Sequence, residues 1–334
     1  MAHIRIHTAP TGGDLAQPLA VPRLQHLPVP FFVVVMGLGG LALAWRRAEH
    51  LFALPVAVSA PLTALAAAVF AVLLMAYTAK AVRHRAAVAA EFAHPVRGSF
   101  FPTITISMLL LAIPAYDASP WAGHALWATG AVLHLMLTVV AMNRWIHHPG
   151  TELAHLNPAW FIPVVGNVLV PVLGVRLYPA EVSWFFFAVG IVLWLALLTL
   201  VLNRLFFHGP LPERLRMTLF ILVAPPAIAT VAWLALADVG PVAHILYSVA
   251  LFFALLLLTN APRFLRTRFY LSAWACSFPL AALTIASFSM AQRTGAFGYA
   301  LIGEVALAVT TVVVAALAAR TVLAVARREI CVPE

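Results

Sequence analysis

Ten apolar segments follow one another along this chain, at residues 30–48, 61–82, 98–115, 121–143, 159–175, 182–207, 214–237, 241–260, 269–291 and 297–325. A bilayer core needs about 20 mostly apolar residues per helical crossing, and the connections between these segments are short. Only helices and closed barrels satisfy their backbone in lipid, so the pattern predicts antiparallel helical hairpins packed in one membrane bundle. Composition agrees: 63% of the 334 residues are hydrophobic and 9% charged, whereas soluble chains carry about 25% charged residues. No soluble domain is expected. The 20 Lys and Arg against 11 Asp and Glu fall between the apolar segments, where they set topology and meet anionic lipid. That placement argues against nucleic acid as a partner. Cys276 and Cys331 form neither a disulfide framework nor a metal pair.

With both termini placed in the cytoplasm, only Arg46, Arg47, Arg176 and Arg293 of the 20 basic residues fall on the opposite side. This is the positive-inside asymmetry expected of a multi-pass protein of the cell (inner or plasma) membrane. Residues 1–28 are polar, hold Pro10, Pro18, Pro22 and Pro28, and lack the apolar core of a signal peptide. They are expected to form a disordered cytoplasmic arm, with 29–326 as the ten-helix transmembrane domain and 327–334 as a cytoplasmic tail.

Odd and even segments differ in character. Even segments carry proline only at or near their starts, at Pro61, Pro120, Pro179 and Pro241. Odd segments carry it within the span, at Pro102, Pro163, Pro171, Pro225, Pro226 and Pro279, and the first has Gly37, Gly39 and Gly40 where a kink would fit. Thr103, Thr105, Ser107, Asn167, Thr218, Ser277, Thr284, Ser287 and Ser289 also favour the odd set. Backbone freed by proline has no water to bond in lipid, so such helices belong beside protein or a wet cavity. The expected architecture is therefore all-α, an inner ring of five kinked odd helices inside five straight even ones, a helical hairpin repeated five times.

Four stretches carry a resemblance: HPVRGSFFPTITISMLLL at 94–111, NPAWFIPVVGNVLVP at 157–171, RMTLFILVAPPAIA at 216–229 and WACSFPLAALTIAS at 274–287. Together with PFFVVVMGLGGLALAW at 30–45, they resemble, in order, odd-helix signatures of the tellurite-resistance/C4-dicarboxylate transporter (TehA) family. The slow-type anion channels of plant guard cells are its eukaryotic branch. The resemblance implies ten helices as five tandem hairpins in quasi-fivefold order around a central pore, and a homotrimer with one pore per protomer. It also implies that the phenylalanine of WxxSFP, here Phe278, plugs the pore at mid-membrane. The long regulatory termini of the plant members have no counterpart in this sequence, so their kinase control is not implied.

The residues themselves bear on what passes. Arg97 and Arg214 stand at the cytoplasmic ends of odd segments, where they would concentrate anions at the mouth. Arg97 in His94-Pro95-Val96-Arg97 serves equally well as a helix anchor. The expected path is an apolar tube with a few hydroxyls, interrupted by an aromatic ring. Its lining or kink residues are Thr105, Pro163, Asn167, Thr218, Pro225, Pro226, Ser277, Pro279 and Thr284. Asn167 has the alternative role of bonding kinked backbone. A proton-coupled carrier usually shows an acid or histidine on its path, and only Glu304, near the outer end of segment 10, lies within a span. Pairing or snorkelling accounts for it.

His124, His134 and His244 could be imagined as haem ligands, but no spacing pairs them, and interhelical hydrogen bonding is their ordinary role. His147, His148, Glu152 and His155 share a loop without the spacing of a metal motif. The reading is thus an anion channel or channel-like exporter for small anions such as chloride or nitrate, with no enzyme activity, cofactor or metal. The alternatives are a secondary transporter of C4-dicarboxylates or sulfite and, more remotely, a haem-bearing membrane oxidoreductase.

Overall fold

The computed structural model describes residues 23–147 and 152–331. Residues 1–22 of the expected arm, His148 and tail residues 332–334 lie outside the described residues. Thirteen α-helices follow in order: α1 Phe32–Phe52, α2 Ser59–Arg83, α3 Arg85–Ala93, α4 Pro102–Ala118, α5 Pro120–His147, α6 Ile162–Leu169, α7 Pro171–Gly174, α8 Ala180–Phe207, α9 Ala224–Leu236, α10 Pro241–Leu258, α11 Ala261–Leu265, α12 Ser277–Thr294 and α13 Phe297–Ala326. Among the described residues, nine helical runs are long and apolar enough to cross a membrane. This is an all-helical, multi-pass membrane protein. The fifth apolar segment departs from the expectation of a full-length helix. It runs as a shorter apolar stretch, Pro158–Gly174, interrupted at Val170 because Pro171 cannot donate to the ladder.

Burial separates the spans into two kinds. In the four odd spans of full length 61–83% of the most apolar stretch is buried, against 17–33% in the five even ones. The packing explains this. α1 contacts α4 and α12, α4 contacts α6, α6 contacts α9, and α9 contacts α12, so the inner neighbours close on themselves. Each outer helix packs on the inner helix before it and touches the next: α2 lies on α1 and α4, α5 on α4 and α6, α8 on α6 and α9, α10 on α9 and α12, and α13 on α12 and α1.

The prolines of the inner helices prove to be helix starters. Each inner helix is entered through a 3₁₀ run, at Val29–Phe31, Arg97–Phe100, Pro158–Phe161, Glu213–Leu222 and Leu271–Cys276. Pro102, Pro163, Pro225, Pro226 and Pro279 then fall in the first turn of the α-helix that follows. A first-turn N–H has no i−4 partner in its own helix, so proline there avoids the roughly 3 kcal/mol it costs in a helix interior. The discontinuity is a change of winding, where the chain would otherwise bend. Among the described residues only Pro114, toward the far end of α4, is interior to an α-helix.

The glycines of the first segment leave the helical run of α1 unbroken. They let α12 approach. A Cβ on Gly37 would lie 2.3 Å from Ser277 Oγ, and one on Gly40 would lie 3.0 Å from Ala281 Cβ and 3.3 Å from Phe278 Cδ2.

Lys80, which the sequence suggests as a topology charge, is buried in a polar knot instead. Its Nζ donates to Glu91 Oε2 (2.6 Å) and to the Leu27 carbonyl (2.7 Å). Glu91 also accepts from the Val29 N–H (2.7 Å) and the Tyr77 hydroxyl (2.8 Å). Buried charges persist when paired and fully hydrogen-bonded, and this knot fastens the start of α1 to α2 and α3.

Candidate functional site

All five inner segments converge on one axial cavity of about 50 Å³. α1 contributes Val33 and Met36. The third segment contributes Phe100 and Ile106, the fifth Phe161, Ile162, Val165, Gly166 and Leu169, the seventh Ile221, Ala224 and Ile228, and the ninth Ala275, Phe278 and Pro279. No charged side chain is among them. The wall is almost entirely apolar, and the space holds only a few waters. Phe278 stands in it 8% exposed, its ring over Gly40, with Phe100 and Phe161 in the same wall.

Of the polar residues that the sequence suggests for a lining, none borders this cavity. Each hydroxyl turns back onto its own helix. Thr105 donates to the Pro102 carbonyl (2.9 Å), Thr218 to Leu215 (2.6 Å), Ser277 to Trp274 (2.6 Å) and Thr284 to Leu280 (2.9 Å). This back-bonding is the usual way a buried Ser or Thr is satisfied without water. Asn167 donates to Thr138 Oγ1 (2.8 Å) and to the Val164 carbonyl (2.9 Å), both away from the axis. Pro163 gives its carbonyl to Thr138 (2.6 Å), and Trp127 of the same α5 reaches the Val170 carbonyl (2.9 Å). Side chains of an outer helix thus supply the partners that the broken fifth segment lacks. Pro225 and Pro226 are buried in the first turn of α9, beside lining residue Ala224. Pro279 and Phe278 are the two suggested residues that do line the cavity.

Arg97 and Arg214 sit in the 3₁₀ runs that lead to α4 and α9. Arg97 lies three residues before Phe100 of the lining, its backbone N–H bonded to His94 Nδ1 (3.2 Å). Arg214 is exposed, and its carbonyl accepts from Ser272 Oγ. Each of the three candidate histidines has a hydrogen-bonding partner at one ring nitrogen, while the buried Nε2 of His134 has none among the described residues. His134 is fully buried with Nδ1 2.8 Å from Thr105 Oγ1, His124 Nε2 is 2.8 Å from the Tyr178 hydroxyl, and His244 Nδ1 is 3.0 Å from the Gly240 carbonyl. Among the described residues no cluster of three metal-ligating side chains occurs.

Sequence reasoning missed Phe100, Phe161 and the aliphatic wall. A usable signal existed, because a phenylalanine precedes proline by one or two residues at Phe100-Phe101-Pro102, Phe161-Ile162-Pro163 and Phe278-Pro279. It also missed Gly166, whose lack of a side chain admits the His134 ring. A Cβ there would meet His134 Cε1 at 2.1 Å, His134 Nε2 at 2.3 Å and Ile106 Cγ1 at 2.8 Å. Gly166→Ala is therefore expected to lower stability by about 1–3 kcal/mol through overpacking, read as a lower melting temperature of purified protein. His134→Ala in the same background should restore part of the loss.

Residues 26–322 match the family SLAC1, voltage-dependent anion channel. Three relatives illustrate its breadth. The S-type anion channel SLAH2 of Arabidopsis thaliana is 27% identical over 91% of this chain and 59% of its own length. The guard cell S-type anion channel SLAC1 of the same plant is 24% identical over 81% of this chain and 51% of its own. The tellurite resistance protein TehA homolog of Haemophilus influenzae is 26% identical over 77% and 79%. The chain thus spans between half and three fifths of the length of these two plant relatives. The match runs unbroken through every inner helix that lines the axial cavity, and on that ground the chain belongs to the SLAC1 anion-channel family, which joins TehA-type tellurite-resistance proteins to the plant S-type channels.

Proposed function

We propose that this protein is an anion channel of the cell membrane, conducting small anions such as chloride and nitrate along the axis of the inner helices and closed at rest by Phe278. Ten membrane segments act as five tandem hairpins in quasi-fivefold order, the third with its inner helix broken. Both termini face the cytoplasm, and three copies assemble, each with its own path. The observation that carries this reading is the axial cavity itself. It receives residues from all five inner segments, contains no charged group, and has a phenylalanine ring in its wall. An ion crossing so apolar a constriction must shed water, so weakly hydrated anions pass most readily. A carboxylate on that path, which proton-coupled carriers commonly use, is absent from the lining.

Purified protein in planar bilayers tests this. The current should reverse at the equilibrium potential of the permeant anion and follow it as chloride is replaced by nitrate. A flux that shows counterflow and varies with a proton gradient would replace the channel by a carrier of C4-dicarboxylates or sulfite.

A further inference from the structure

A second cavity lies farther along the same helices. It measures about 450 Å³ and is lined by Arg47 of α1, Val172 of α7, Val231 and Leu234 of α9, and Gln292 and Arg293 of α12, with Ser289 beside them. Arg47 stands eleven residues beyond Met36, and Ser289 eleven beyond Phe278, so on both helices the vestibule begins about 16 Å past the axial cavity. On α9 and through α7 it starts one turn beyond Ile228 and Leu169. The two spaces lie at successive levels of the same inner helices.

The charges around this vestibule are unequal. Arg46 and Arg176 share Asp117, the second at 3.6 Å. Arg293 donates to the Leu234 carbonyl (2.7 Å) and lies 3.8 Å from a fully exposed Asp238. Arg47 has no carboxylate within ion-pair distance among the described residues. One of its donors reaches Gln292 Oε1 (3.1 Å), and the rest have no protein acceptor. No acidic side chain is in the lining.

We infer that this vestibule is a binding site for a small, weakly hydrated inorganic anion, held by Arg47 with Arg293 and Gln292 before or after it crosses the Phe278 constriction. A guanidinium is itself weakly hydrated and presents several donors in a fixed fork, so it favours iodide or nitrate over strongly hydrated anions. The volume lets the ion keep much of its water there, whereas the axial cavity does not. This placement along the path rests on the channel reading, but the site itself is an equilibrium property.

The test uses radioiodide binding to the purified full-length protein, alongside bilayer currents with iodide varied on one side at a time. Wild type should bind iodide saturably, with nitrate competing and gluconate not. Arg47→Gln should weaken binding about tenfold, the loss of one charge-assisted contact, and should raise the half-saturating iodide on one side of the bilayer only. Arg47→Lys should recover part of both. Arg46→Gln, whose charge is already spent on Asp117, should change neither, and elution as a single monodisperse species shows that each variant is folded. Iodide binding that is absent, or unchanged in Arg47→Gln, overturns the site even if currents flow. Arg47-dependent binding without any current supports the site and overturns the channel.

Discussion

Replacing Phe278 by alanine is expected to give a channel that conducts constitutively. The ring lies in a cavity of about 50 Å³ whose other walls are aliphatic or aromatic. It rests on Gly40 of the neighbouring α1, where an added Cβ would crowd Ala281 at 3.0 Å and the ring at 3.3 Å. Truncation at Cβ removes one aromatic ring from the cavity wall and leaves the adjacent Pro279 in place. Each 1.36 kcal/mol taken from a barrier gives tenfold in rate, so a ring whose displacement costs a few kcal/mol implies a current increase on the order of 10²-fold. Folding should suffer less than the about 3–5 kcal/mol of a Phe→Ala change in a packed core, because one side of the ring already faces open space. Single-channel and macroscopic currents in bilayers at matched protein density measure this. Phe278→Leu should fall between wild type and alanine. Currents indistinguishable from wild type in the alanine variant would remove Phe278 as the gate and move attention to Phe100 and Phe161.

The membrane fold was legible because lipid imposes it. Apolar length and the odd-even division of prolines follow from what a bilayer tolerates, and each has a counterpart in the packing. The axial wall was hidden for the same reason. In a soluble helix an apolar stripe marks the buried face, but here Val165 facing the cavity and Val192 facing outward are equally apolar. Polar residues misled for a related cause. Thr105, Thr218, Ser277 and Thr284 suggest a lined path, yet in a dry interior the nearest acceptor is a carbonyl of the same helix, and they take it. Arg47 was visible as a charge on the minority side. That it lacks the carboxylate its neighbour Arg46 enjoys depends on which helices meet there.

Glu91→Ala should be the most destabilising single change outside the axial path. Glu91 is 6% exposed and Lys80 3%, so truncation leaves an ammonium buried with only the Leu27 carbonyl for a partner, and strands the Tyr77 hydroxyl and the Val29 N–H. Breaking one side of a buried pair typically costs about 3–5 kcal/mol, whereas replacing both charges by apolar groups is often near neutral. The double variant Lys80→Met, Glu91→Leu should therefore melt well above Glu91→Leu alone, and with Lys80→Met the three variants form a cycle with a coupling energy of roughly 2–3 kcal/mol. Losses that simply add would show that the two side chains act independently. The consequence reaches the axial cavity, because Val29 opens the 3₁₀ turn that delivers α1, and Val33 of the lining lies four residues on. Glu91→Gln keeps one acceptor and the side-chain shape, so it should retain more stability than alanine. If Gln and Ala were equally damaging, the carboxylate charge rather than its hydrogen-bond geometry would be what fastens α1.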